Sequence, residues 1–223
     1  MKIIVCVRSL NEERNVKRFI ESYSWADKIL IADGGSEDNT VNIAKKYPRA
    51  SVRTFDKKIN INGQTVNPRG AHINWLLDWA WTEHADWMIF DDMDCIPTKV
   101  LQEHGRELLE SSRHEMVFAY RIFVLGDDRY FPDMNKAGQS LWAWNQGVYI
   151  RADESNPLTF TMSIPNCIRM SILPPLALLH YFYPDEETFQ RKKSQYMATG
   201  EVPEYYDPIS QFGKIESLPE WAR

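Results

Sequence analysis

The chain has 223 residues, 43% of them hydrophobic and 26% charged, which suffices for a sizeable core and excludes a disordered chain. A net charge of −5 argues against a surface that coats duplex nucleic acid, and no apolar run approaches the roughly 18 residues of a membrane span. Cys6, Cys95 and Cys167 are odd in number, far apart and without C-x-x-C spacing, so neither a disulfide framework nor a zinc site is expected.

The apolar stretch Met1–Val7 is too short for a signal peptide and reads as a first strand; a cytoplasmic location is expected. Ile3–Val7 is β-branched, like a strand buried on both faces. Asn11 is expected to cap a helix whose apolar stripe is Val16, Phe19, Ile20 and Tyr23, with Glu12 and Glu13 in its first turn. A second strand, Lys28–Ala32, stops at Asp33-Gly34-Gly35-Ser36. Asp38 or Thr40 starts a helix ending near Pro48, and Ser51–Phe55 is a third strand. A polar stretch with Gly63, Pro68 and Gly70 precedes a third helix through Ile73, Leu76, Leu77, Ala80, Trp81 and His84. Trp87–Phe90 is a fourth strand, followed at once by Asp91-Asp92-Met93-Asp94. This β-α-β-α-β-α-β order predicts an α/β protein with an open, mostly parallel sheet flanked by helices.

After Pro97 another helix is expected, and then the period changes. Met116–Leu125, Ser140–Trp144 and Gly147–Arg151 read as strands, with an antiparallel hairpin at Gly126-Asp127-Asp128. Asn156–Pro175 is poor in pattern, Leu176–Tyr183 is a last strand, and a helix is expected after Pro184. Residues 201–223 read as an irregular tail.

In an open parallel sheet, ligands bind outside the carboxyl ends of the strands. Three such ends here are polar: Ser9-Leu10-Asn11-Glu12, Asp33-Gly34-Gly35-Ser36 and Asp91–Asp94. No glycine follows the first strand, so the dinucleotide fingerprint and the P-loop are both absent. In an extended segment Asp92 and Asp94 would face one point, where a Mg²⁺ or Mn²⁺ ion relieves their repulsion and keeps positions for diphosphate oxygens. The bland reading is an acidic turn with Asp94 or Thr98 capping the next helix.

These motifs resemble the GT-A fold glycosyltransferases of family 2. Ser9-Leu10-Asn11-Glu12-Glu13 resembles the family's first-strand motif, and Asp33-Gly34-Gly35-Ser36-Glu37-Asp38-Asn39-Thr40 its D-G-S-x-D-x-T motif. Arg69-Gly70 with Asn74 sits where the family has a basic segment, and Asp92-Met93-Asp94 matches its D-x-D. The resemblance implies one GT-A domain over residues 1–200, with a nucleotide half (1–98) and an acceptor half (99–200). It implies donor contacts from Ser9, Asn11, Glu12, Asp33, Gly34, Arg69 and Asp92, and a metal, Mn²⁺ or Mg²⁺, on Asp92, Asp94 and the late His180. The donor implied is a nucleotide-sugar, with UDP favoured, and the acceptor is a glycan, lipid-linked or other hydroxyl; the acidic balance disfavours a nucleic-acid acceptor.

The second half resembles the lipopolysaccharide-core branch of that family through Tyr130-Phe131-Pro132-Asp133 and His180-Tyr181. An inverting transferase needs a carboxylate to take the acceptor proton. Many members carry an acid ahead of the late His, but Ile164–Ile168 holds none, so Asp133, Asp153 and Glu154 are the candidates, each also readable as a turn residue. Trp142 and Trp144 are candidates for an acceptor wall. Two rivals remain: a non-catalytic nucleotide- or glycan-binding protein, favoured by the missing acid, and a nucleotidyltransferase, disfavoured because Val7–Asn11 lacks a Gly-rich basic loop.

Overall fold

The computed structural model describes residues 1–131, 139–158, 161–183 and 215–222, with isolated positions between 185 and 197. The first half runs β1 (Ile3–Ser9), α1 (Glu13–Ser22), β2 (Lys28–Asp33), α2 (Thr40–Ala44), β3 (Ala50–Thr54), β4 (Ile59–Ile61), β5 (Gln64–Val66), α3 (Arg69–Trp81), β6 (Trp87–Asp92), β7 (Cys95–Pro97) and α4 (Lys99–Ser111). The second half adds β8 (Met116–Leu125), β9 (Arg129–Tyr130), β10 (Gln139–Asn145), β11 (Arg151–Ala152), β12 (Met162–Ser163), β13 (Arg169–Tyr183) and β14 (Glu216–Ser217).

Strands β3, β2, β1 and β6 are parallel neighbours. Strand β10 joins β6 antiparallel and carries β8 on its other edge; β13 runs parallel to β8 and antiparallel to β7. Because β1 has β2 on one side and β6 on the other, the strand order reverses there, and a crevice opens at the carboxyl ends of β1 and β6.

Burial explains why these segments are strands. Ile3, Ile4, Val5, Cys6 and Val7 are all fully buried, and each large aliphatic among them stabilises the fold by roughly 1.5–3 kcal/mol. Val5, Val7, Ile29 and Ile31 pack in one cluster with Val16 and Phe19 of α1 and Leu101 of α4. Ile4, Cys6, Leu30 and Ala32 pack in a second with Ile73, Leu76 and Ala80 of α3.

Several expectations are corrected. Asn11 does not cap α1: it adopts φ 56°, and its side-chain oxygen accepts from the Glu37 amide at 2.8 Å. The first turn is instead served from the neighbouring loop, with Glu12 N–H donating to Thr40 Oγ1 and Glu13 N–H to Asp38 Oδ2. The polar stretch before α3 contains the hairpin β4–β5, turned by Asn62-Gly63 with φ of 51° and 83°. Of Gly147–Arg151 only Arg151 belongs to a strand, β11, and Gln146-Gly147 form a turn after β10. The last strand starts at Arg169 rather than Leu176; its register shifts between Ile172 and Ala177, around Pro174-Pro175, which cannot donate to a ladder. Part of the expected irregular tail is built into the sheet: β14 pairs with β9, and Leu218 and Ala222 are buried beside Ile122 and Val124. The hairpin at Gly126 is present as β8–β9.

Trp142 and Trp144 form no acceptor wall, being 0% and 1% exposed. Strand β10 lies between β6 and β8 and is covered on both faces. A register shift between Leu141 and Ala143 sends Trp142 to one core cluster and Trp144 to the other.

Candidate active site

The strand registers set the site. Parallel pairing places Ser9 beside Asp33 and Arg8 beside Asp92. Ser9 Oγ donates to Asp33 Oδ1 at 2.9 Å, and Ser36 Oγ to the same oxygen at 2.6 Å. The amides of Gly35 and Ser36 donate to Asp33 Oδ2 at 2.9 and 2.8 Å. Four donors occupy the roughly four acceptor positions of a carboxylate, so Asp33 organises its own loop, and a ligand group reaching it must share one of these bonds. Gly34 donates its N–H to the Ser9 carbonyl, and a Cβ there would lie 2.4 Å from Asn67 Oδ1. Asn11 N–H donates to Ser36 Oγ, and Glu12 accepts from Asn15, so the Ser9–Glu12 and Asp33–Thr40 loops form one bonded platform.

Below this platform His72 is 3% exposed and stacks on Phe55, with centroids 4.3 Å apart and planes within 7°. Its Nε2 lies 3.0 Å from the Ala32 carbonyl, which can only accept, so Nε2 carries the proton. Burial, reinforced by Arg8, lowers the His72 pKa to about 4. The folded state therefore binds fewer protons than the unfolded chain between about pH 4 and 6.5, and this contribution to stability grows as pH rises through that window. The stability difference between wild type and His72→Gln, which keeps a donor for Ala32, is expected to grow by about 3 kcal/mol from pH 4 to 6.5. Urea unfolding at three pH values checks it; a difference that does not change with pH would mean that His72 titrates normally.

At the end of β6 the carboxylates take different partners. The segment turns at Met93 and Asp94 rather than staying extended, and Asp94 and His180 still act electrostatically on Asp92. Asp91, fully buried, accepts from Tyr23 Oη at 2.8 Å and from Arg121 at 3.3 Å, and Trp142 Nε1 donates to the same Tyr23 hydroxyl at 3.1 Å. Burial pushes the Asp91 carboxyl up to about 6, against the opposing pull of Arg121 and the Tyr23 bond. Asp92 is held by Arg8 at 3.3 Å and by Arg121 at 3.4 Å. Burial raises its pKa, but Arg121 and Arg8 more than offset this and hold it below the ordinary carboxylate range. Arg69, first residue of α3, is close enough to act on Arg8 electrostatically.

Asp94 meets different partners. Antiparallel pairing sets His180 opposite Cys95, and the Tyr181 amide donates to the Asp94 carbonyl at 2.9 Å. His180 Nε2 then lies 3.4 Å from Asp94 Oδ1, both side chains being 12% exposed. Thr98, whose hydroxyl accepts from the Leu101 amide, caps α4, so Asp94 is not needed as a cap. Potential ligand atoms of Asp94, Cys95 and His180 lie within 4.8 Å of one another. Burial raises the Cys95 thiol pKa in the metal-free chain, and Asp94 and His180 supply an oxygen and a nitrogen donor suited to a divalent cation such as Mn²⁺.

The candidate bases separate. Asp153 accepts from Ser155 N–H and Oγ in a turn, bonds that lower its pKa. Glu154 is exposed and accepts from Asn74 Nδ2 at 2.6 Å, on a loop that Asn74 also ties through Ala152. Asp133 lies outside the described residues. Sequence reasoning missed Arg8, Arg121 and Tyr23, because a buried guanidinium or phenol has no motif; the only trace was an arginine inside each of two apolar strands.

A mostly parallel sheet with its acidic cleft at the β1–β6 reversal defines a GT-A type α/β fold, and comparison with solved structures agrees. The chain is similar to Staphylococcus aureus TarS, with a TM-score of 0.57 and 14% identity over 88% of this chain and 40% of that one. Against TarS 1-349 the values are 0.55 and 13%, over 92% and 67%. The chain matches the profile of Glycosyl transferase family 2 over residues 4–173, and it belongs to that family. A weaker likeness, TM-score 0.42 with 18% identity over 66% and 57%, is to glucosyl-3-phosphoglycerate synthase from Mycobacterium tuberculosis. The chain thus spans about two fifths of the longer TarS chain. No curated protein matches it in sequence. Among the described residues no helix is long and apolar enough to cross a membrane.

Proposed function

We propose that the chain transfers a sugar from a nucleotide-sugar, with UDP the favoured nucleotide, to a hydroxyl acceptor, with inversion and with a divalent metal. The observation that carries this reading is the β7–β13 register, which brings His180 to Asp94 beside Asp92 at the crevice of a family 2 fold. Ser9, Asn11, Glu12, Asp33 and Gly34 would form the wall for base and ribose, and Arg69 would meet phosphate. Asp94 and His180 would hold the metal, with Asp92 adjoining; an imidazole in the set favours Mn²⁺ over Mg²⁺. Such an ion supplies charge stabilisation to a departing diphosphate. Arg8 and Arg121 keep Asp92 ionised and oriented toward the crevice without making it basic.

The acceptor proton then needs a base that the cationic cluster does not weaken. Asp133 is the first choice, because Asp153 is spent in its turn and Glu154 is bonded to Asn74. Asp133→Asn is expected to lower turnover by about 10²–10⁴-fold with donor binding unchanged, and Glu154→Gln by much less. Steady-state kinetics with calorimetry of Mn²⁺ and UDP test this, and NMR of the new anomeric centre tests inversion. Near-native turnover in both variants would move the base elsewhere. The absence of an acid from Ile164–Ile168 favours a second reading, a nucleotide-binding protein without transfer. UDP-sugar turnover with Mn²⁺ but not with chelator decides against it; UDP binding with no turnover on any acceptor decides for it.

A further inference from the structure

Helix α3 carries Arg69 at the crevice and ends at Trp81, about 18 Å further along its axis at ~1.5 Å per residue. At that far end lies a cavity of about 210 Å³, floored by Met88 and Trp144. Two rings form its rim: Trp81, 49% exposed, and Tyr149, 60% exposed, with centroids 5.9 Å apart and planes at 84°. Among the described tryptophans, tyrosines and phenylalanines only Trp81, Tyr149 and Trp221 are exposed, so an exposed pair set as a corner needs an explanation other than core packing.

The polar groups beside it are fixed. Arg151 donates from Nε to the Tyr149 hydroxyl at 2.7 Å, from Nη1 to the Asn74 carbonyl at 3.0 Å, and from Nη2 to Asp78. Tyr149 keeps its hydroxyl proton to donate, and the exposed Asp78 keeps lone pairs to accept. Arg151 and Asp78 balance in charge, so the rim does not favour an anion. The volume falls below the roughly 300–1,000 Å³ of sites that hold drug-sized ligands, which suits one ring and not a nucleoside diphosphate. A smaller hollow of about 90 Å³ adjoins it past Trp81 toward His84 and Gln146, so the site is open to a chain.

The geometry points to a second sugar-binding subsite at the carboxyl end of α3, taking one neutral pyranose of an oligosaccharide. Its apolar C–H face stacks on Trp81 or Tyr149, and its hydroxyls donate to Asp78 and accept from Tyr149. The inference rests on the transferase reading only in making the occupant part of an acceptor or product glycan. Binding itself needs neither nucleotide nor metal.

The full chain is applied, without nucleotide or metal, to an array of neutral and anionic oligosaccharides. The strongest binder is then titrated into wild type, Trp81→Ala and Tyr149→Ala by calorimetry. A neutral oligosaccharide is expected to bind, about tenfold more weakly in each variant, with Mn²⁺-dependent UDP binding unchanged. Trp81 is half exposed, so its removal leaves the core in place, and Tyr149→Ala is an independent second probe. No binding on the array, binding undiminished in both variants, or a dimer in light scattering that Trp81→Ala dissolves would each overturn the subsite. UDP turnover without Trp81-dependent glycan binding would remove the subsite and leave the transferase; Trp81-dependent glycan binding without UDP binding would do the reverse.

Discussion

Asp94→Asn is expected to lower sugar transfer by at least about 10³-fold and to abolish the dependence of UDP binding on Mn²⁺, with the melting temperature nearly unchanged. The amide has the shape of the carboxylate, so packing is kept. The backbone carbonyl of Asp94 still receives the Tyr181 amide, and Thr98 still caps α4. The charge facing His180 is removed, and with it the anionic oxygen donor of the proposed metal site. His180→Ala should weaken Mn²⁺-dependent binding in parallel. Asp92→Asn should act differently, because it also deprives Arg8 and Arg121 of a partner and so lowers stability as well as turnover. Calorimetry with and without Mn²⁺, thermal melts and turnover on the same preparations separate the three. Full turnover by Asp94→Asn, or by wild type in excess chelator, would sink the metal role.

Arg121→Met should cost about 3–5 kcal/mol at pH 7.5, the effect of removing one partner from a buried ion pair. The loss follows from Asp91, which is fully buried and, among the described residues, would be left with the Tyr23 hydroxyl and Asp92's own amide to meet its charge. Burial already raises its pKa to about 6 in the presence of Arg121, and without the arginine it rises further. A carboxylate whose folded pKa is raised gives stability that is complete below its unfolded value, near 4, and is lost as pH rises through the folded value. The penalty in Arg121→Met should therefore be larger at pH 8 than at pH 5, where Asp91 takes up a proton. Adding Asp91→Asn should restore most of the loss, and the double-mutant cycle measures the coupling. Urea unfolding at both pH values is the test. A penalty below about 1 kcal/mol at pH 8 would mean that water reaches Asp91 and that Arg121 is no structural clamp.

The alternation of β-branched runs with amphipathic stripes determined the nucleotide half, because each run is buried by its own composition and each stripe by its own period. Ile3–Val7 can only be an interior strand, and Val16, Phe19 and Ile20 only an inward helix face. The D-x-D and D-G-G-S segments followed from position, since they come directly after such strands. The hairpin at Asn62-Gly63 was legible too, but its three-residue flanks carry too little apolar alternation to draw attention. Tertiary structure alone decided how the acidic residues divide. The registers of β6 with β1 and β7 with β13 hand Asp92 to Arg8 and Asp94 to His180, and across the turn at Met93–Asp94 the two carboxylates still act on each other electrostatically. Pairing across more than 80 residues depends on which strands become neighbours, and no local spacing encodes that choice. The burial of Trp142 and Trp144 is the same case: alternation marked them as a pair on one face, and a one-residue shift in the ladder put them on two. A strand's own residues set that it is buried; its neighbours set what each of its side chains meets.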